Sequence, residues 1–320
     1  MSMDNKALLK NFNRLSDRFF KFVFANPDYK DLLISFLNDV LDNTPKNAER
    51  IKPIIDLNYA DREAVAYNQH EKLPRFDVIA LTEDKRIFHV EVQVAQDKNL
   101  LPRMLYYVSK SYIKATSEGE SYSDVQVICI VLANFNIFND SSNWYSLHRL
   151  LNVENNSWHI RGMEFHFIEI PKLKAEFKRK EKSWPATGLE RVLYYFGSIG
   201  GEQDMQALAE QDARIKKFME LEREFTKDPN LLSNYLDWKV EKKFYNAALK
   251  DREEIGEKRG ERRGEKRGEK RGLKQGKAEG QLMTLAGLVD DGILSLSAAA
   301  ARANMTEQEF LASIAKLNLN

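Results

Sequence analysis

The chain has a single cysteine, Cys129, among 320 residues. One thiol excludes a disulfide framework and any zinc site built from several cysteines. Cys129 sits in the apolar run VQVICIVLANF, which marks it as a small buried hydrophobe rather than a nucleophile. Only five histidines are present, and neither they nor the cysteine fall at zinc-ligand spacing. Charge of one sign is also missing: 49 basic and 48 acidic side chains leave a net charge of +1. Any contact with nucleic acid must therefore come from a local basic patch, not from a global field. No apolar stretch approaches the roughly 20 residues that span a bilayer. The opening MSMDNKALLKNFNRLSDRFFKF has no signal-peptide core. These absences predict a reduced, cytoplasmic protein with no membrane partner.

What is present is enough to build a core. Apolar residues make up 43% and charged residues 30%, which suits one large domain or two smaller ones. RFFKFVF, opened by Asp17, and DLLISFLNDVLD repeat their apolar residues at helical spacing and predict two helices separated at Pro27. Residues 51–72 carry no clear period. LPRFDVIAL and RIFHVEVQV both alternate and flank EDK, a β-hairpin pattern. Residues 97–118 predict a helix with Arg103, Tyr107, Lys110 and Lys114 along one side and Gly119 as its stop. SDVQVICIVLA suits a strand buried on both faces, MEFHFIEI a later strand, and KLKAEFKRKEK a charged helix. Residues 186–250 read as mostly helical.

The tail is different. Glycine recurs at every fourth position from Gly256 to Gly280, with Glu-Lys-Arg triplets between, so that seven of the 15 glycines lie here. Each costs about 1 kcal/mol of helix propensity relative to alanine, while the charge pairs return only a few tenths each. A charged linker or marginal helix is expected, with a linker of partial helicity favoured, whose basic triplets could track a DNA backbone. The last segment returns to a small helical hairpin, suited to packing or oligomerisation. The expected layout is residues 1–185, a helical region 186–250, the charged repeat 251–281 and a helical segment 282–320.

The hairpin carries the chemistry. A turn centred on Asp84 sets Val78 opposite Val90, Ala80 opposite Phe88 and Phe76 opposite Val92 as one apolar face. The other face then receives Asp77 directly across from Glu91, with Gln93 beyond and His89 on the same side. Opposed Cβ atoms stand about 4.5–5.5 Å apart. Two carboxylates at that distance repel unless a hard divalent cation joins them. Such an ion polarises phosphate oxygens and acidifies bound water. Alternation alone more often means a solvated face. The apolar setting and the buried strand that follows weaken that reading, but spacing alone does not identify a nuclease; His89 on this face is expected as a supporting hydrogen-bond partner, with general base as the alternative.

The hairpin FDVIALTEDKRIFHVEVQ, the following LLPRMLYYVSKSYIKATSEGESYSDVQVICIVLANFNIF and the opening SDRFFKFVFANPDYKDLLISFLNDVL together resemble the Rpn family of recombination-promoting nucleases and transposases, within the PD-(D/E)XK superfamily. The resemblance spans roughly residues 15–170. It implies an α/β, restriction-endonuclease-like core with a mixed central sheet flanked by helices. It implies a Mg²⁺-dependent DNA endonuclease, with Mn²⁺ or Ca²⁺ as alternative ions, that promotes recombination or DNA mobility. Asp77 and Glu91 match the metal-binding acids, with Asp17 as a further metal-holding acid. Gln93 stands where the superfamily has lysine. Arg103 and Tyr107 match an R-x-x-x-Y on the next helix, which with Lys110 and Lys114 would face DNA. Losing the lysine removes a fixed positive charge, which Arg103 or Lys110 is expected to supply. Two alternatives stand beside this reading: transposase-like strand transfer, and a catalytically weak DNA-binding scaffold that oligomerises through its tail.

Overall fold

A computed structural model describes residues 12–60, 76–117, 122, 125–179 and 183–317. The predicted stop at Gly119 and most of the aperiodic stretch 51–72 lie outside them. Two helices open the described chain, α1 (Asp17–Phe24) and α2 (Lys30–Asp42). Ser16 starts α1 by accepting a hydrogen bond from the Phe19 amide at 3.3 Å, and Pro27 begins a short 3-10 turn before α2. Strands β1 (Asn58–Tyr59), β2 (Val78–Leu81) and β3 (Arg86–Gln93) follow, then helix α3 (Leu100–Ser117) and strands β4 (Gln126–Ala133), β5 (Tyr145–Leu150) and β6 (Ile160–Glu169).

The six strands form one mixed sheet in the order β1-β2-β3-β4-β6-β5. β2 and β3 are the predicted hairpin in the predicted register, with Val78 opposite Val90 and Ala80 opposite Phe88. Lys85 takes a left-handed φ of 64°, closing a three-residue turn in which the Thr82 and Arg86 backbones pair. β3, β4 and β6 run parallel, and α3 makes the crossover from β3 to β4. The near-continuous apolar sequence of β4 follows from its central place, since both its faces are covered. β5 was not expected from the sequence. It is a half-exposed edge strand with a bulge at Arg149/Leu150, so its residues, YSLHRL, lack a strong alternation.

One face of the sheet, with Val78, Ala80, Phe88, Val90 and Val92, packs against the apolar sides of α1 and α2. The same core takes in residues of α5 (Gly188–Phe196), α6 (Glu202–Gln211) and α7 (Ala213–Lys227). Helix α4 (Ile170–Lys178) leads from β6 toward them. The other face, with Ile79, Val127, Cys129 and Val131, packs against Leu100, Met104 and Val108 of α3. Phe76 corrects the sequence reading. It belongs to this second layer, not to the face of Val78 and Val92, because the regular pairing of β2 starts only at Val78 and the preceding backbone turns the ring toward His89.

Phe196 stands at the centre of the first core, with ring centroids 5.1–6.1 Å from those of Phe218, Phe24, Phe20 and Phe19. Phe196→Ala is expected to cost about 3–5 kcal/mol, read as a lowered urea midpoint at unchanged slope.

The chain divides into two compact units, Met1–Lys242 and Lys243–Asn320. Helix α8 (Pro229–Asp290) carries the glycine repeat, which takes the helical one of its two expected forms. Pairs such as Lys258–Glu254 at 3.0 Å help hold it. α9 (Leu296–Arg302) and α10 (Glu307–Leu317) form the expected small helical hairpin, burying Ala299, Ala300 and Phe310 against Leu282, Leu285 and Val289 of α8. Among the described residues no helix is long and apolar enough to cross a membrane.

Candidate active site

Asp77 immediately precedes β2. Its amide donates to the Val90 carbonyl at 3.0 Å, and its carboxylate accepts from the Val92 amide at 2.8 Å, so the side chain is fixed at the end of the hairpin. Glu91 and Gln93 project from β3 on the side covered by α3, and the Gln93 amide donates to Glu91 Oε1. Asp77 and Glu91 are only 5% and 6% exposed.

Two buried carboxyls so placed disfavour each other's ionisation. Burial first, then the Asp77 charge, pushes Glu91 up to about 8, and burial also raises Asp77. Both pKa values rise on folding, so the folded state favours the protonated acids. For Glu91 this contribution is complete below its ordinary value of 4.5 and is lost as pH climbs through about 8. The metal-free protein is expected to lose stability on the order of a few kcal/mol across that window. Glu91→Gln should flatten the loss, as read by urea unfolding at several pH values.

The positive charges come from two helices. The apolar side of α1 buries Phe19, Phe20, Val23 and Phe24, which leaves Asp17 and Lys21 on its other side. The Lys21 ammonium lies 2.7 Å from Asp77 Oδ1 and 3.7 Å from Asp17 Oδ2. On α3, Arg103 reaches Glu91 Oε1 at 3.7 Å and Asp97 at 2.9 Å. Lys21 is the residue the sequence reading missed. Its signal was present in the opening Asp-x-x-Phe-Lys, where Asp17 and Lys21 stand one helical turn apart. Arg103 does reach the acids. Lys110, the other expected source of charge, is 8% exposed and stands about 10 Å further along α3. Tyr107 is half-buried, its ring edge-on to Phe76 at 5.5 Å, and Lys114 is half-buried two turns on.

His89 does not take either predicted role. It is fully buried, its ring is stacked on Phe76 at 4.0 Å, and neither ring nitrogen has a hydrogen-bond partner. Burial pushes it down to about 3, so it stays neutral and apolar in function.

Among the described residues no three His, Cys, Asp or Glu side chains converge as a ligand set. The acid pair nevertheless fits a hard divalent cation. Glu91 Oε2 is buried without a hydrogen-bond partner, as is Asp17 Oδ1. Mg²⁺ commonly takes one or two carboxylates and fills its remaining positions with water and phosphate. A larger cavity of about 700 Å³ lies at the other end of the sheet, lined by Asp84, Arg86, Gln126 and Gly162, and holds none of these acids.

A family profile described as a PD-(D/E)XK nuclease family transposase matches residues 14–251, a span that includes α1, the hairpin and α3. No curated protein and no solved structure matches the chain.

Proposed function

The chain belongs to the PD-(D/E)XK nuclease family transposases, and from that premise we propose that it is a metal-dependent endonuclease that hydrolyses phosphodiester bonds of DNA at Asp77 and Glu91. The observation that carries this reading is the buried acid pair, which has an ammonium on one acid and an unpartnered oxygen on the other. A divalent cation held by Asp77 and Glu91, with Mg²⁺ ahead of Mn²⁺ or Ca²⁺, would polarise a phosphate oxygen and lower the pKa of a bound water.

The chain's own groups have distinct tasks. The Val92 amide and Lys21 hold Asp77 in place and favour its ionised form. Lys21 also supplies the fixed positive charge that Gln93 lacks, placed where charge grows in phosphoryl transfer. Gln93 holds Glu91 and offers its amide to water or phosphate. Asp17 orients Lys21 from the preceding turn, and its unpartnered oxygen would help hold the same cation. Arg103, Tyr107 and Lys114 of α3 face the DNA in this reading, with Arg103 at the acids and the others beyond, while the buried Lys110 does not reach that surface. The reaction serves recombination or DNA mobility.

The test is incubation of supercoiled plasmid with the full chain, with and without Mg²⁺. Nicked and linear products only with the ion are expected, and joined products would extend the reaction to strand transfer. DNA binding with no scission in Mg²⁺ or Mn²⁺ would sink the endonuclease reading in favour of a binding scaffold.

A further inference from the structure

A second cavity, of about 380 Å³, opens at the same end of the sheet as the acids. Asn134, Lys174, Arg14, Ser198 and Glu222 are among the residues that line it. Asn134 follows β4, and its backbone amide donates to the Gln93 carbonyl at 2.9 Å, so the cavity begins one strand away from Gln93. Lys174 lies on α4, which starts directly where β6 ends. Acids, Asn134 and Lys174 thus follow one another along the carboxyl ends of the parallel strands β3, β4 and β6. In open α/β sheets that edge is where ligands bind.

The charges in this cavity do not cancel. Glu222 is already engaged by Arg14 at 2.7 Å and by the Tyr195 hydroxyl at 2.5 Å. Lys174 is half-buried and, among the described residues, has neither an ion pair nor a hydrogen bond. Burial lowers its pKa below that of a solvated lysine. The Asn134 carboxamide, also half-buried, makes no hydrogen bond either. A partly desolvated ammonium that shares a cavity with an unbonded carboxamide is unfavourable alone and becomes favourable when an anion arrives.

We propose that Lys174 and Asn134 form a phosphate-binding subsite for the DNA strand that passes over the acids. The inference rests on the endonuclease reading above and adds a place for the strand beyond the bond that is cut. Two strand spacings separate β3 from β6, about 10 Å, which corresponds to two or three phosphates along one strand. Lys174 is a binding group here, and it anchors the strand without touching the reacting atoms.

The experiment compares the full chain with Lys174→Ala and Lys174→Arg. Binding to a short fluorescent duplex is followed in metal-free buffer across a salt series, and Mg²⁺-dependent cleavage is followed alongside. For Lys174→Ala the expected result is about tenfold weaker binding and a salt slope smaller by about one, with kcat within twofold and an unchanged melting temperature. Lys174→Arg should restore the slope. A single methylphosphonate two or three nucleotides from the cut should weaken wild-type binding and leave Lys174→Ala unaffected. An unchanged affinity and salt slope in Lys174→Ala would overturn the subsite. Cleavage by wild type reports separately on the endonuclease reading, because the binding measurement does not depend on it.

Discussion

Asp77→Ala is expected to lower DNA cleavage by at least about 10³-fold, an effect of about 4 kcal/mol on the barrier. The Asp77 charge acts on Glu91, and Asp77 is the acid already held by a backbone amide and an ammonium. In the proposed reaction its loss removes one of the acids that would hold the cation, and it leaves Lys21 with Asp17 alone. The fold should survive, because the β2–β3 register is set by Val78, Ala80, Phe88 and Val90 on the opposite, apolar side. Relief of the charge that raises Glu91 should also lower that acid toward its ordinary value, so Asp77→Ala should lose less stability than wild type as pH rises. The checks are plasmid cleavage in Mg²⁺ and urea unfolding at two pH values. Cleavage at the wild-type rate would remove Asp77 from the reaction.

Lys21→Met is expected to lower kcat by about 10²-fold with a smaller change in KM, because the ammonium acts where charge develops and not where DNA is held. A purely structural lysine would give a different pattern, with a lower melting temperature and kcat and KM altered together. Two features make the distinction readable. Lys21 is more than a quarter exposed, so methionine can take its place without overpacking the core. Gln93 donates to Glu91 from β3 and, in the proposed site, stands in for the superfamily's lysine. Gln93→Lys added to Lys21→Met should therefore recover part of the lost rate by returning the charge to the strand. If Lys21→Met cleaves like wild type, the charge comes from Arg103 alone, which stands 3.7 Å from Glu91.

His89 and Phe76 show why some of the site escaped the sequence. Strict alternation places His89 beside Glu91 as a polar group, yet the ring is sealed under Phe76 and stays neutral. Alternation also places Phe76 with Val92, but pairing ends one residue short of Asp77 and the rule stops with it. Periodicity describes a strand and says nothing about the backbone just outside it. Edge strand β5 was illegible for a related reason. Half its residues face solvent, so neither a run of β-branched residues nor a clean alternation was required. The glycine repeat was legible only as a linker or a helix. Propensity sums argue against a long helix, and α8 is helical across all seven glycines.

From the residues alone came the hairpin and its register, because a period of two and a three-residue turn leave one pairing that keeps Val78, Ala80, Phe88 and Val90 together. The buried central strand and the crossover helix were legible by the same local logic. Only the tertiary structure decided which cation serves the acids. Lys21 and Asp77 are distant in sequence, and they meet because α1 lays its phenylalanine side on the sheet and so turns its charged side toward the hairpin end. The placement of Lys174 beside the same edge has the same origin. It depends on three parallel strands ending together, a property of the assembled sheet that no single segment encodes.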